Sequence, residues 1–297
     1  MLSPVEARAL PGGLLREPLI ARDISGSKSA AQILQRRQSG DEPANSVVTI
    51  VYRGDTRSPE QLRQLGGFPT EFEGPLRNES YSLIAHHEAQ GEGEKFQSAY
   101  TSTARLFGST VYFATDAGKQ DGWVYKIHAT PNMIDMNDSG FLQKYARESE
   151  FSAMGGVRWD QIQGWVPMPR KAYPAARILQ IQEETARLRL ETLASEAADV
   201  GIKNATWPRT WIDNVEYNQK YEQYNASKGQ PQLAGDAANL EKHGDKTLEE
   251  HARDFMRQNG AAVGWDERYF PFISLAATAP AGPWKGPFAL NSEKPAY

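Results

Sequence analysis

The chain has 297 residues, of which 39% are hydrophobic, a formal net charge of −4 and no cysteine, with a pI near 5.8. Those values fit a soluble globular protein of one large domain, or one domain and an appendage, and argue against a dedicated nucleic-acid binder, which shows a concentrated basic face. They exclude disulfides, thiol chemistry and zinc–thiolate sites, while no apolar run reaches the ~18 residues of a membrane span and the opening residues lack the apolar block of an export signal.

In chain order, residues 1–45 mix Pro4, Pro11, Gly12, Gly13 and Gly26 with polar runs and are expected to form a flexible N-terminal extension. Residues 46–53 are rich in β-branched side chains and predict a buried strand that meets a turn at Gly54 and Asp55. Ser58, Pro59 and Glu60 then predict a short helix with Ser58 as its N-cap, stopped at Gly66 and Gly67. SLIAHH and SAYTSTAR, separated by a Gly/Glu loop at 90–95, predict two short strands. Residues 111–114 and 123–129 predict two more, with a turn at Pro131 and Asn132. Residues 141–147 read as a helical or looped approach to an extended run over 148–165, and Pro167, Pro169 and Pro174 mark the border of the strand-rich part. Beyond it the period becomes helical: Ile178, Ile181, Thr185, Leu188 and Leu193 make a stripe within 175–200, and 215–224 and 247–258 also read as helices. Residues 260–297 give no regular prediction.

Several residues stand out chemically. On an extended run Glu148 and Glu150 share one face, roughly 7 Å apart. Two carboxylates so placed repel one another, a cost that suggests a task, although a solvated strand edge with a chance acidic pair has the same sequence. Arg53 closes an apolar strand, where a charge is expensive unless paired; a salt bridge to Asp55 and a guanidinium fork for a phosphate or ribose are both open. The hydroxyls of Ser102 and Thr103 fit either a site or simple bonds to backbone groups. His86 fits a satisfied core histidine as well as a catalytic one. The five histidines form no metal-spacing motif, and His86 and His87 would face opposite ways on a strand, so no metal is expected.

Four blocks, taken together, resemble the catalytic chains of cholera toxin and heat-labile enterotoxin, the mono-ADP-ribosyltransferase toxins. They are VYRGDTRSPEQLRQLGGF at 51–68, LIAH at 83–86 followed by YTSTA at 100–104, VYKIHATPNMIDMND at 124–138, and ESEFSAMGGVRWDQIQGW at 148–165. The resemblance implies an α+β fold in which a mixed two-sheet core over 46–170 forms a cleft for NAD, followed by a mainly helical and irregular region, 171–297, packed on it. It implies that NAD is the substrate, with Glu150 as the catalytic glutamate and Glu148 as the residue that lets an arginine act as acceptor. Ser102, with Thr103, would support the cleft and position Glu150. Arg53, with Gly54 and Asp55 beside it, would hold the adenosine phosphate or ribose end of NAD, and His86 would be the active-site histidine. The implied partner is a eukaryotic protein carrying an acceptor arginine, and the implied setting is a secreted virulence factor. Ala104 stands where the toxins have a further serine. The absence of cysteine removes their disulfide-closed loop, and the chain ends in Lys294, Pro295, Ala296 and Tyr297 instead of their retention signal, so the nicking route and assembly with binding subunits stay open. An NAD glycohydrolase and a non-catalytic NAD-binding or decoy homologue are the competing expectations. A DNA-modifying relative usually has glutamine where this chain has Glu148.

Overall fold

The computed structural model of the protein describes residues 47–70, 76–89, 97–141, 149–170 and 211–275. The extension expected at 1–45, the approach at 142–147, Glu148, the amphipathic helix expected at 175–200 and the chain beyond 275 lie outside the described residues. Strand β1, Ile50–Asp55, runs through Gly54 and Asp55 instead of turning there. It does so because β1 pairs along its whole length with β4, Gly122–His128, from Ile50 opposite His128 to Asp55 opposite Trp123. Helix α1, Pro59–Leu65, follows as expected: Ser58 Oγ accepts from the Gln61 amide, the Gln61 side chain accepts from the Ser58 amide, and Gly66 ends the helix at a left-handed φ of 76°.

Two stretches read as strands are helices. SLIAHH belongs to α2, Leu83–Ala89, whose start is tied by Ser82, its Oγ accepting from the Ala85 amide at 3.1 Å and its carbonyl from the His86 amide at 3.0 Å. Residues 111–114 are the end of α3, Phe107–Ala114. The β-branched content of that stretch is overruled by packing, since α3 lies against the bare Cα of Gly54, where a Cβ would stand 1.9 Å from the Thr110 carbonyl oxygen.

Strand β3, Tyr100–Ala104, and β5, Met133–Asp135, flank β6, Glu150–Met154. The run expected to be extended over 148–165 is broken: Ser149 has φ 48°, β6 gives way to β7 at Val157–Arg158, a 3-10 turn spans Trp159–Gln161, and β8 resumes at Ile162–Met168. With β2 at Gly67–Phe68 and β9 at Ile212–Asp213, the described strands make a seven-stranded sheet ordered β5-β6-β3-β1-β4-β8-β9 and a two-stranded sheet of β2 and β7. Every ladder is antiparallel. The fold is α+β.

After β9, 215–224 reduces to a 3-10 turn, Gln219–Gln223, while α4, Ala237–His243, precedes the expected helix α5, Leu248–Asn259, capped by Thr247. One apolar cluster joins Val51, Phe68, Tyr125, Ile127 and Phe151. Another joins Leu83 of α2, Tyr100 and Met154 of the sheet, and Phe255 and Met256 of α5.

Candidate active site

The site grows from a seam in the large sheet. Strands β3 and β6 are paired through five positions, with Ser102 opposite Ser152 and Ala104 opposite Glu150. Strands β1 and β3 share a single pair, Tyr52 with Ala104. Directly opposed residues and residues two apart share a face, so Ser102, Ser152 and Glu150 project together, toward α2.

Glu150 is 4% exposed, and α2 delivers two imidazoles to it. His86 Nε2 lies 3.2 Å from Glu150 Oε1 and 2.8 Å from Ser102 Oγ. His87 Nδ1 lies 2.8 Å from Oε2, and Ser152 Oγ donates to Oε1 at 3.0 Å. An ionised carboxylate only accepts, which makes His86 Nε2 and His87 Nδ1 the donors. His86 Nδ1 in turn meets Ser98 Oγ at 2.8 Å. Burial by itself pushes the Glu150 carboxyl up, but the hydrogen bonds and charges of His86 and His87 outweigh it and hold the group well below the usual carboxylate range. His87 is the residue that sequence reasoning missed. On a strand adjacent side chains point apart; on a helix of 3.6 residues per turn they stand about 100° apart, and both rings reach the same carboxylate.

Arg53 stands on the other side of the seam and bridges it. Its Nη1 donates to the Ser102 carbonyl at 2.7 Å and its Nε to Asp55 Oδ2 at 3.4 Å, while the guanidinium lies 5.1 Å from the Phe68 ring centroid. The ion pair with Asp55 is therefore present, but the closer partner of Asp55 is Arg57, whose Nη2 donates to Oδ2 at 2.6 Å and whose Nε and backbone amide donate to Oδ1 at 2.8 and 2.9 Å. Burial raises the Asp55 carboxyl, and the bonds and charges of Arg57 and Arg53 overcome that and leave it lowered.

Arg53, Ser102, His86 and Glu150 thus form one connected chain of contacts. Thr103 stands apart from it, since its Oγ1 donates to the Phe151 carbonyl at 2.7 Å and ties β3 to β6, the backbone role left open by the sequence. Gly54 is required by the close approach of α3. Among the described residues no group of three or more His, Cys, Asp or Glu is arranged to hold a metal ion, and no helix is long and apolar enough to cross a membrane.

The sequence model of the heat-labile enterotoxin alpha chain family matches residues 42–178. NAD(+)--arginine ADP-ribosyltransferase Chelt of Vibrio cholerae is 30% identical over 122 residues, which cover 38% of this chain and 20% of that protein. The cholera enterotoxin A polypeptide of Vibrio cholerae serotype O1 is 30% identical over 127 residues, covering 39% of this chain and 48% of the relative. The chain therefore spans half or less of the length of these relatives. A solved structure of a heat-labile enterotoxin double mutant aligns with a TM-score of 0.45 at 20% identity, over 68% of this chain and 79% of that one. The resemblance carried by the four sequence blocks is found: over residues 42–178 the chain has the pattern of the heat-labile enterotoxin alpha chain family.

Proposed function

We propose that this protein moves ADP-ribose from NAD to an arginine of a target protein. The observation that carries the reading is Glu150, a buried carboxylate met by two imidazoles and linked through His86 and Ser102 to Arg53. Breaking the bond between nicotinamide and ribose builds positive charge on the sugar, and a carboxylate fixed beside it favours that state over the ground state. At ~4 Å and an effective dielectric of ~20, the attraction is about 4 kcal/mol, about a thousandfold in rate. Among the described residues Ser152 Oγ donates to Oε1, with His86 Nε2 3.2 Å away, and His87 Nδ1 meets Oε2, so Oε2 keeps capacity for a ribose hydroxyl.

Among the described residues Arg53 uses two of the five N–H groups of a guanidinium, on Asp55 and Ser102. The rest of its fork suits an anionic end of NAD. The acceptor arginine is itself a permanent cation, so it meets like-charge repulsion at the forming sugar cation. Glu148, two residues before Glu150, is assigned by its place in the sequence to offset that repulsion and take the proton. The setting follows from the same assignment: a secreted protein acting on a eukaryotic protein with an accessible arginine.

Labelled NAD added to a eukaryotic lysate tests the reading. The wild type is expected to release nicotinamide and to label arginine, and Glu150→Ala to lower both by about a thousandfold. Glu148→Gln is expected to abolish labelling while nicotinamide release persists. Equal loss of both would contradict the separate roles, and a silent wild type would favour the non-catalytic homologue.

A further inference from the structure

We propose that His87 is a positioning residue for Glu150, holding Oε2, the carboxylate oxygen that would receive the ribose hydroxyl. The proposal rests on the transferase reading and adds to it a residue that the reading does not use. Two of the described groups that meet Glu150, the His86 ring through Nε2 and the Ser152 hydroxyl, converge on Oε1. The terminal torsion of a glutamate is broad and roughly two-fold, so donors on one oxygen alone leave the plane of the carboxylate free to turn about them. His87 meets Oε2 at 2.8 Å from a side chain that is 2% exposed. It thereby fixes the second oxygen, and with it the plane, while one lone pair of Oε2 is left for the substrate. Holding from both ends matters because a small misplacement of a reacting group costs rate without costing binding.

The groups that face Glu150 among the described residues are the titratable rings of His86 and His87 from α2 and the hydroxyl of Ser152 on β6. His87→Leu fills the volume of the ring without a donor, whereas His87→Asn keeps a donor near the place of Nδ1 and does not titrate. The leucine variant is expected to lower kcat for nicotinamide release about ten- to a hundredfold with KM for NAD within about twofold, and the asparagine variant to recover most of that loss. The role is overturned by a kcat within about twofold of wild type in His87→Leu, by a loss that falls on KM, or by an asparagine variant as impaired as the leucine one. Should the leucine variant fail to fold, His87→Asn decides alone: a kcat within about tenfold of wild type supports the role and a larger loss overturns it. Carbon-13 NMR of the Glu150 carboxyl gives a measure that needs no turnover. Its titration midpoint should move upward in His87→Leu and return toward wild type in His87→Asn, and an unmoved midpoint overturns the role. A wild type silent toward NAD with these shifts intact would sink the transferase reading and leave the His87 contact standing.

Discussion

The two sides of the seam each bury a carboxylate, and the two are used in opposite ways. Asp55 and Glu150 are 8% and 4% exposed, and for both the cost of burial is outweighed by cationic or donor neighbours. The partners of Asp55 are guanidiniums, whose charge is permanent, and Arg57 alone supplies it with three donors. Asp55 is accordingly an anchor: it holds the Nε edge of Arg53 while Nη1 reaches the Ser102 carbonyl. Glu150 is instead the group that is held, by the imidazoles of His86 and His87 and by Ser152, with acceptor capacity remaining on Oε2. One carboxylate keeps a cation still, and the other is itself kept still.

Of the effects that test this contrast, the largest falls on the anchoring half. Arg53→Lys keeps the charge but cannot reach Asp55 and the Ser102 carbonyl together with a planar fork. We expect kcat/KM for nicotinamide release to fall about a hundredfold, mainly through KM, as two charge-assisted bonds and the grip on an anion are lost together. Steady-state kinetics would read it. A lysine variant within about threefold of wild type would mean that a point charge suffices and that the Asp55 anchor is irrelevant to substrate.

A smaller effect separates the two carboxylates by pH. Both are depressed in the folded state, from ordinary values of 4.5 for Glu150 and 3.8 for Asp55. A depressed carboxyl contributes stability that is present above its ordinary value and is lost as pH falls through the depressed one. Melting temperatures followed downward from pH 5 should therefore drop in the wild type, and the drop should be shallower in Glu150→Gln, which has no such proton to take up. A glutamine variant that tracks the wild type through the acid range would show that the imidazoles do not hold Glu150 ionised, and the contrast with Asp55 would collapse.

What the sequence reveals here depends on how local each cause is. The capping of α1 is legible because Ser58, Pro59, Gln61 and Gly66 act on their own backbone neighbours. Arg53 is legible as a charge closing an apolar strand and Glu150 as half of a repelling acidic pair, whereas Ser102 stands out only through the resemblance of its block. Helices α2 and α3 are not. A six-residue run such as SLIAHH satisfies both periods, and the course of α3 is set by a glycine more than fifty residues earlier in the chain. His87 was lost with the period of α2, since a strand would have turned it away from Glu150. Arg57 lies just past the end of β1, where a charged residue needs no explanation until Asp55 is seen beside it.

The smallest expected effect asks whether the held carboxylate depends on the layer behind it. Thr247 caps α5, its hydroxyl accepting from the Glu250 amide while the Glu250 side chain accepts from the Thr247 amide. Thr247→Ala should cost about 1 kcal/mol, and the melting temperature should fall by about 2–4 °C. Helix α5 presses Phe255 and Met256 into the cluster that contains Tyr100 of β3 and Met154 of β6, the two strands that carry Ser102 and Glu150. If the polar contacts around Glu150 position it by themselves, nicotinamide release by the folded variant keeps its kcat despite the lower melting point. A kcat that falls in step with stability would instead assign part of the positioning to the seating of α5, and Glu150 would then be held through the packing of its own strand as well as by His86 and His87.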